Sequence, residues 1–229
     1  MLACNCYVLA LRVGSDAIIV DPGQRAMGPL QRILDENHLT PSAVLLTHGH
    51  VDHIWSAQKV ADMYGCPAYI HPEDRFMLTD PIKDFGPRLA QVAFGALFRE
   101  PKQVIELDKD GDKIEVGGVT VTVDHTPGHT RGSVVFRVAD GPEEVVFTGD
   151  TLFRQSVGRT DLPSGSGPRS SPCSITARIT PAVPSGRSVT DRSPRSAKVY
   201  ISLETTSVDS PTPRANSAVS SKIGSSMSP

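Results

Sequence analysis

Thr47-His48-Gly49-His50-Val51-Asp52-His53 gathers three imidazoles and a carboxylate into one short stretch. What flanks it decides the local fold. Ala43-Val44-Leu45-Leu46 is an apolar run suited to a buried strand, and Ile54, Ala57, Val60, Ala61 and Tyr64 recur behind it at helical intervals. The histidines therefore fall on a strand-to-helix loop, where scaffolds of alternating strands and helices hold their chemistry. Side chains alternate along an extended segment, so His48 and His50 leave the backbone on the same side and reach one ion. Asp52 and His53 follow where the chain turns, and address a neighbouring ion. Nitrogen donors with one carboxylate suit zinc, with manganese and iron as alternatives. A lone histidine is usually a surface or core residue; three so close together, with an acid between them, make a metal motif.

Two later segments supply what such a site needs. Val119, Val121 and Val123 alternate with Thr120 and Thr122, a strand pattern that runs into Thr126-Pro127-Gly128-His129-Thr130, so His129 lies in a turn at a strand end. It is the best third imidazole for the first ion. Val145-Val146-Phe147 ends in Thr148-Gly149-Asp150, and that carboxylate is placed to bridge two ions. Taken alone, each would be an ordinary turn residue. His38, His71 and His125 lie outside these motifs and are read as non-ligands.

The order THGHVDH, TPGHTRGS, TGDTLF resembles the metallo-β-lactamase superfamily, and Gly158-Arg159-Thr160-Asp161-Leu162-Pro163 narrows the likeness to short glyoxalase II-like hydrolases. Asn5-Cys6-Tyr7-Val8-Leu9 and Ala17-Ile18-Ile19-Val20-Asp21-Pro22-Gly23 match the opening strands of that group, so the resemblance spans about residues 3–163. It implies an α+β, αββα sandwich. It also implies a first ion on His48, His50 and His129, and a second on Asp52 and His53 with Asp150 between them. Asp21 is implied to orient the site without touching metal. The family's second ion takes a further histidine downstream, and this chain has none beyond His129.

Composition breaks after residue 163. Of the 66 residues in 164–229, 18 are Ser and 8 are Pro, with Tyr200 the one aromatic and 8 Lys or Arg against 3 acids. So little apolar side chain does not offset chain entropy, and disorder is expected. Val199-Tyr200-Ile201-Ser202-Leu203 is the one strand-like patch. The expected organisation is thus a metallo-β-lactamase-like domain over 1–163 with its C-terminal layer incomplete, and a Ser/Pro/Arg-rich tail over 164–229, disordered or frame-shifted.

Other readings are quick. Met27, Leu30, Ile33 and Leu34 mark a helix, and Leu89 to Phe98 is expected to form another over the site. Asp108-Lys109-Asp110-Gly111-Asp112 lacks the closing Glu of a calcium loop and reads as a hairpin turn. Cys4 and Cys6 share a strand and belong to core packing, not to a disulfide or a metal clip. No leader segment or membrane-length apolar run is present, so the protein is expected to be cytoplasmic, with a small-molecule substrate and no nucleic-acid partner.

The implied activity is metal-dependent hydrolysis, with a metal-acidified water as nucleophile, Asp52 orienting it, and a thioester such as an S-2-hydroxyacyl glutathione as substrate. Two rivals are a mononuclear iron persulfide dioxygenase using His48, His129 and Asp150, and an inactive remnant that binds metal weakly and exposes apolar sheet faces. For the tail, the frame-shift reading predicts that another frame of the coding DNA encodes an apolar helix followed by a Gly-His strand end; if no frame does, the reading is wrong.

Overall fold

In a computed structural model the described residues are 4–83, 97–140, 143–153, 156–162, 164–165 and 199–204. The first half alternates strands with helices: β1 (Asn5–Ala10), β2 (Asp16–Val20), α1 (Met27–Glu36), β3 (Thr40–Leu45), α2 (Val51–Ile54), α3 (Ala57–Tyr64), β4 (Ala68–Ile70), α4 (Pro72–Arg75), a 3-10 turn at Phe76–Leu78, and β5 (Val104–Glu106). The second half is β6 (Lys113–Val116), β7 (Val119–His125), β8 (Val134–Asp140), β9 (Glu143–Phe147), the short β10 (Leu152–Phe153) and β11 (Ser156–Val157), and β12 (Val199–Glu204).

Helix α1 carries the expected period, with Leu30 and Leu34 buried. It stops where Asn37 donates its side-chain amide to the Ile33 carbonyl and His38 turns left-handed. The first sheet runs β12-β1-β2-β3-β4-β5, parallel from β2 to β5. The second is an antiparallel meander, β6-β7-β8-β9. Strand alternation sorts the first sheet's side chains between two cores. Val8, Ala10, Ile19, Val44 and Leu46 face the helices, against Leu30, Leu34, Val60 and Ala61. Leu9, Ile18, Val20 and Leu45 face the second sheet, against Val121, Val123, Val134, Phe136 and Phe147. Each fully buried side chain of this size contributes about 1.5–3 kcal/mol relative to exposure, so the seam between the sheets is held apart from any ligand. Helices on one face of two packed sheets make the first three layers of the expected αββα sandwich; among the described residues every helix lies in the first half.

Two sequence expectations change here. The Asp108–Asp112 turn is not a hairpin, because it passes from β5 in one sheet to β6 in the other; Gly111 and Asp112 pair with Val123. The hairpin is the next turn, where Gly117 and Gly118 both take positive φ between β6 and β7. The outer face of the second sheet is not chiefly apolar: Lys113, Glu115, Thr120, Thr122, Asp124 and Arg137 stand on it beside Val135 and Val146, and Arg137 bridges Asp124 and Glu144. Within 164–229, Val199–Glu204 forms β12, antiparallel to β1 with Glu204 opposite Asn5. The helix expected over Leu89 to Phe98 lies, but for Leu97 and Phe98, outside the described residues. Among the described residues no helix is long and apolar enough to cross a membrane.

His71 and His125 meet where the two halves adjoin, their rings stacked at 4.0 Å. Burial, and then the facing His125 ring, hold His71 below the usual imidazole value, against the opposing pull of Glu73, Asp108 and Glu106. A depressed folded-state pKa gives stability that is present above the unfolded value of about 6.5 and lost as pH falls through the folded value. His71→Asn keeps a side-chain cap for α4 and removes the titration. In urea unfolding with chelator present, the variant is therefore expected to gain on the wild type as pH drops below about 6.5; a stability difference that stays constant with pH contradicts this.

Candidate metal centre

The site stands at the C-terminal ends of β2, β3, β7 and β9, the edge where such sheets hold their ligands. β3 delivers Thr47, His48 and His50, and α2 begins at once, with Asp52 and His53 in its single turn. The loop after β7 delivers His129 and the loop after β9 delivers Asp150. The halves are stitched by Val134, whose N–H donates to the Thr47 carbonyl at 2.8 Å. Gly149 sits against the same residue: with φ +49, a Cβ there would lie 2.3 Å from Thr47 Oγ1, so only glycine fits.

Two groups of donors result. His48 Nε2 lies 3.1 Å from His50 Nδ1, which lies 2.8 Å from His129 Nε2. His53 Nε2 lies 3.2 Å from Asp150 Oδ1 and 4.0 Å from Asp52 Oδ2, and His129 Nε2 lies 3.5 Å from Asp150 Oδ2. His48, His50 and His129 form one trio able to hold an ion, and His48, His53 and Asp150 a second. All six residues singled out in the sequence are thus brought together, with Asp52 at the rim of the second group. His38, His71 and His125 join neither trio.

The outward nitrogens decide what the inward ones can do. His129 Nδ1 contacts the Arg159 carbonyl at 2.8 Å, and His53 Nδ1 contacts Asp21 Oδ2 at 2.9 Å; both partners only accept, so both Nδ1 atoms carry the proton. Asp21 also accepts from the Thr47 N–H at 2.8 Å and the Thr47 hydroxyl at 2.7 Å. With its proton committed to Asp21, Thr47 Oγ1 accepts from His48 Nδ1 at 3.1 Å. His50 Nε2 has the Ser164 hydroxyl at 2.9 Å. The inward atoms of His48 and His129 are therefore bare lone pairs, aimed at one point with His50 Nδ1.

At most one proton lies among these three nitrogens, on His50 Nδ1, because the Ser164 hydroxyl behind that ring can either donate or accept; a cation in its place would meet three lone pairs. Ligands at about 2.0–2.1 Å in tetrahedral array stand about 3.3 Å apart, close to the spacing seen. Burial first, and then its histidine neighbours, push His48 well below the ordinary imidazole pKa and His50 down to about 4, so both are neutral donors at pH 7. Burial pulls His53 the same way, but Asp21 and Asp150 on either side outweigh it and hold it well above the usual value. Asp150 is raised by burial, yet the hydrogen bond and charge of His53 bring it out below the usual carboxylate range. Asp52 is raised, chiefly by burial. The residues present fit a divalent ion with imidazole and carboxylate ligands.

Asp21 acts as expected of an orienting residue: buried, and left-handed at φ +47 immediately before Pro22, a strained setting for a non-glycine residue. Thr47, Ser164 and the Arg159 carbonyl were not foreseen. The Thr-His dipeptide is a weak signal for the first; Ser164 opens the low-complexity tail and gives no signal at all.

The sequence pattern of the metallo-beta-lactamase superfamily matches residues 1–201, and the chain belongs to that superfamily. It is similar to an uncharacterized protein of Mycobacterium leprae, 76% identical over 167 residues, covering 73% of this chain and 76% of the relative. It is also similar to the hydroxyacylglutathione hydrolase GloC of Haemophilus influenzae, 33% identical over 155 residues, covering 66% and 68%. Among solved structures it resembles BLEG-1 B3 metallo-beta-lactamase, with TM-score 0.57, 34% identity, and 72% of this chain matched to 79% of that one. A second is TTHA1623 in a di-iron-bound form, with TM-score 0.54, 32% identity, and coverage of 69% and 73%. The superfamily is one of metallo-hydrolases, and its members are in general hydrolytic enzymes.

Proposed function

We propose that the chain is a metal-dependent thioesterase acting on small substrates of the S-2-hydroxyacyl glutathione type. The observation that carries the reading is the convergence of three ring nitrogens, His48 Nε2, His50 Nδ1 and His129 Nε2, each ring anchored on its far side. His48, His50 and His129 would hold a first ion, and His53, Asp52 and Asp150 a second, with zinc the best match to the donors. A bound divalent ion supplies a water of lowered pKa and a Lewis acid for the substrate carbonyl. The chain's own groups do the rest. Asp52, raised by burial and 4.0 Å from His53 Nε2, would orient a water at the site and hold its proton. Asp21 and Arg159 fix the angles of His53 and His129.

The described cysteines do not compete as nucleophiles: Cys4, Cys6 and Cys66 are buried, and burial raises each thiol's pKa. All four imidazoles at the site are engaged, which leaves none to protonate a leaving group. A thiolate, of parent pKa about 8.5, departs without that help, whereas an amine does not. This favours a thioester over an amide, and the likeness to GloC points the same way.

Zinc-reloaded protein is expected to hydrolyse S-2-hydroxyacyl glutathione, with Asp52→Asn lowering kcat on the order of 10²-fold or more. Zinc-loaded protein inert toward a panel of acyl thiols, or one iron per chain with oxygen uptake on a persulfide, overturns the proposal.

A further inference from the structure

Asp74 belongs to α4, 25 residues beyond Gly49 and 58 before Gly132, yet its carboxylate serves both loops that carry the first imidazole trio. It is fully buried. Its Oδ2 accepts from the Gly49 N–H at 2.9 Å and from the Thr130 hydroxyl at 2.6 Å, and its Oδ1 accepts from the Gly132 N–H at 2.9 Å. Gly49 is the residue between His48 and His50; Thr130 directly follows His129.

The close approach is written into both loops. A Cβ on Gly132 would lie 2.7 Å from Asp74 Cγ, and a Cβ on Gly49 would lie 2.7 Å from Met77 Sδ and 2.9 Å from the Asp74 carbonyl oxygen. Each loop thus carries glycine where it meets the turn from Asp74 to Met77. Ser133 completes the cage: its hydroxyl accepts from the Thr130 N–H at 3.0 Å and donates to Thr130 Oγ1 at 2.7 Å, since Thr130's own proton goes to Asp74. The same segment is tied to the His129 loop a second time, through His71 stacked on His125, whose Nε2 donates to the Arg131 carbonyl at 2.8 Å.

A buried carboxylate is retained only where all its oxygens are used. Here three donors converge on it, and an apolar residue of equal size would strand all three. Asparagine also fails, because either amide orientation points an N–H at an N–H or hydroxyl donor.

We infer that Asp74 is a positioning residue: it clamps the His48–His50 loop to the His129 loop and so sets the spacing at which three ring nitrogens meet an ion. The role rests on those histidines being metal ligands. It acts at a distance from the ion and touches no reacting atom.

The test uses the full chain and reads zinc affinity by chelator competition, together with the visible absorption of the cobalt(II)-substituted protein. Asp74→Asn and Thr130→Val are expected to weaken zinc binding about 10–100-fold and to shift the cobalt band. Thr130→Ser restores the hydroxyl and is expected to keep both at wild-type values. Leu34→Ala, a core truncation in α1, is the control for lost stability: it is expected to lower the unfolding midpoint and leave zinc affinity unchanged. Wild-type affinity in Asp74→Asn, or an equal loss in Leu34→Ala, overturns the positioning role while leaving the ligand assignment standing. A wild type that binds zinc no better than His129→Ala overturns the ligand assignment and the clamp with it.

Discussion

The site depends on hydrogen-bond partners that can only accept standing behind His129 and His53, and on the relay from Asp21 through Thr47 behind His48. A carbonyl behind His129 and a carboxylate behind His53 leave each ring no choice of tautomer, and the Asp21-Thr47 relay extends the same compulsion to His48. On His48 and His129 the proton is held outside, so the lone pair faces in. Within the trio only His50 is left able to offer a proton, from Nδ1 to His48 or His129, and it does not when its Nε2 donates to Ser164 instead. A divalent cation at that point would meet three neutral nitrogen donors. The neutral state of His48 and His50, enforced by burial, keeps the donors ready at physiological pH.

The fold makes this arrangement affordable by separating the seam from the site. Two apolar cores, one under the helices and one between the sheets, fix the strands from which the loops start. The loops themselves contribute polar bonds, not apolar burial. His48, His50 and His53 come from the first half and His129 and Asp150 from the second, so an ion held by both groups spans the halves. Its binding energy then adds to the stability of the folded chain, since the unfolded chain offers no such site.

How much of this could be read from the sequence follows from the range of each interaction. The histidine loop, the alternation at Val119–Val123 and the strand before Asp150 are local patterns, and all appeared where expected. The likeness carried by those motifs also gave the fold and the place of Asp21. What stayed hidden depends on contacts with no local signature. Ser164 meets His50 across 114 residues of sequence, from a stretch whose composition suggested only a tail. Val199–Leu203 was legible as a strand-like patch, but its pairing with β1 was not. Asp74 sits in a charged tetrapeptide, Pro72-Glu73-Asp74-Arg75, and nothing in that run tells the buried acid from its exposed neighbour. The turn at Asp108–Asp112 was misread because turn residues report a reversal, not which sheet the next strand joins.

The account's central claim is that His48 Nε2, His50 Nδ1 and His129 Nε2 share one cation, with His53 and Asp150 beside it. Anomalous X-ray scattering from crystals of the zinc-loaded protein, collected on both sides of the zinc absorption edge, tests it directly. The account requires a peak about 2.0–2.1 Å from all three nitrogens. Zinc bound elsewhere, or a cluster in which His129 has swung out of the trio, contradicts it.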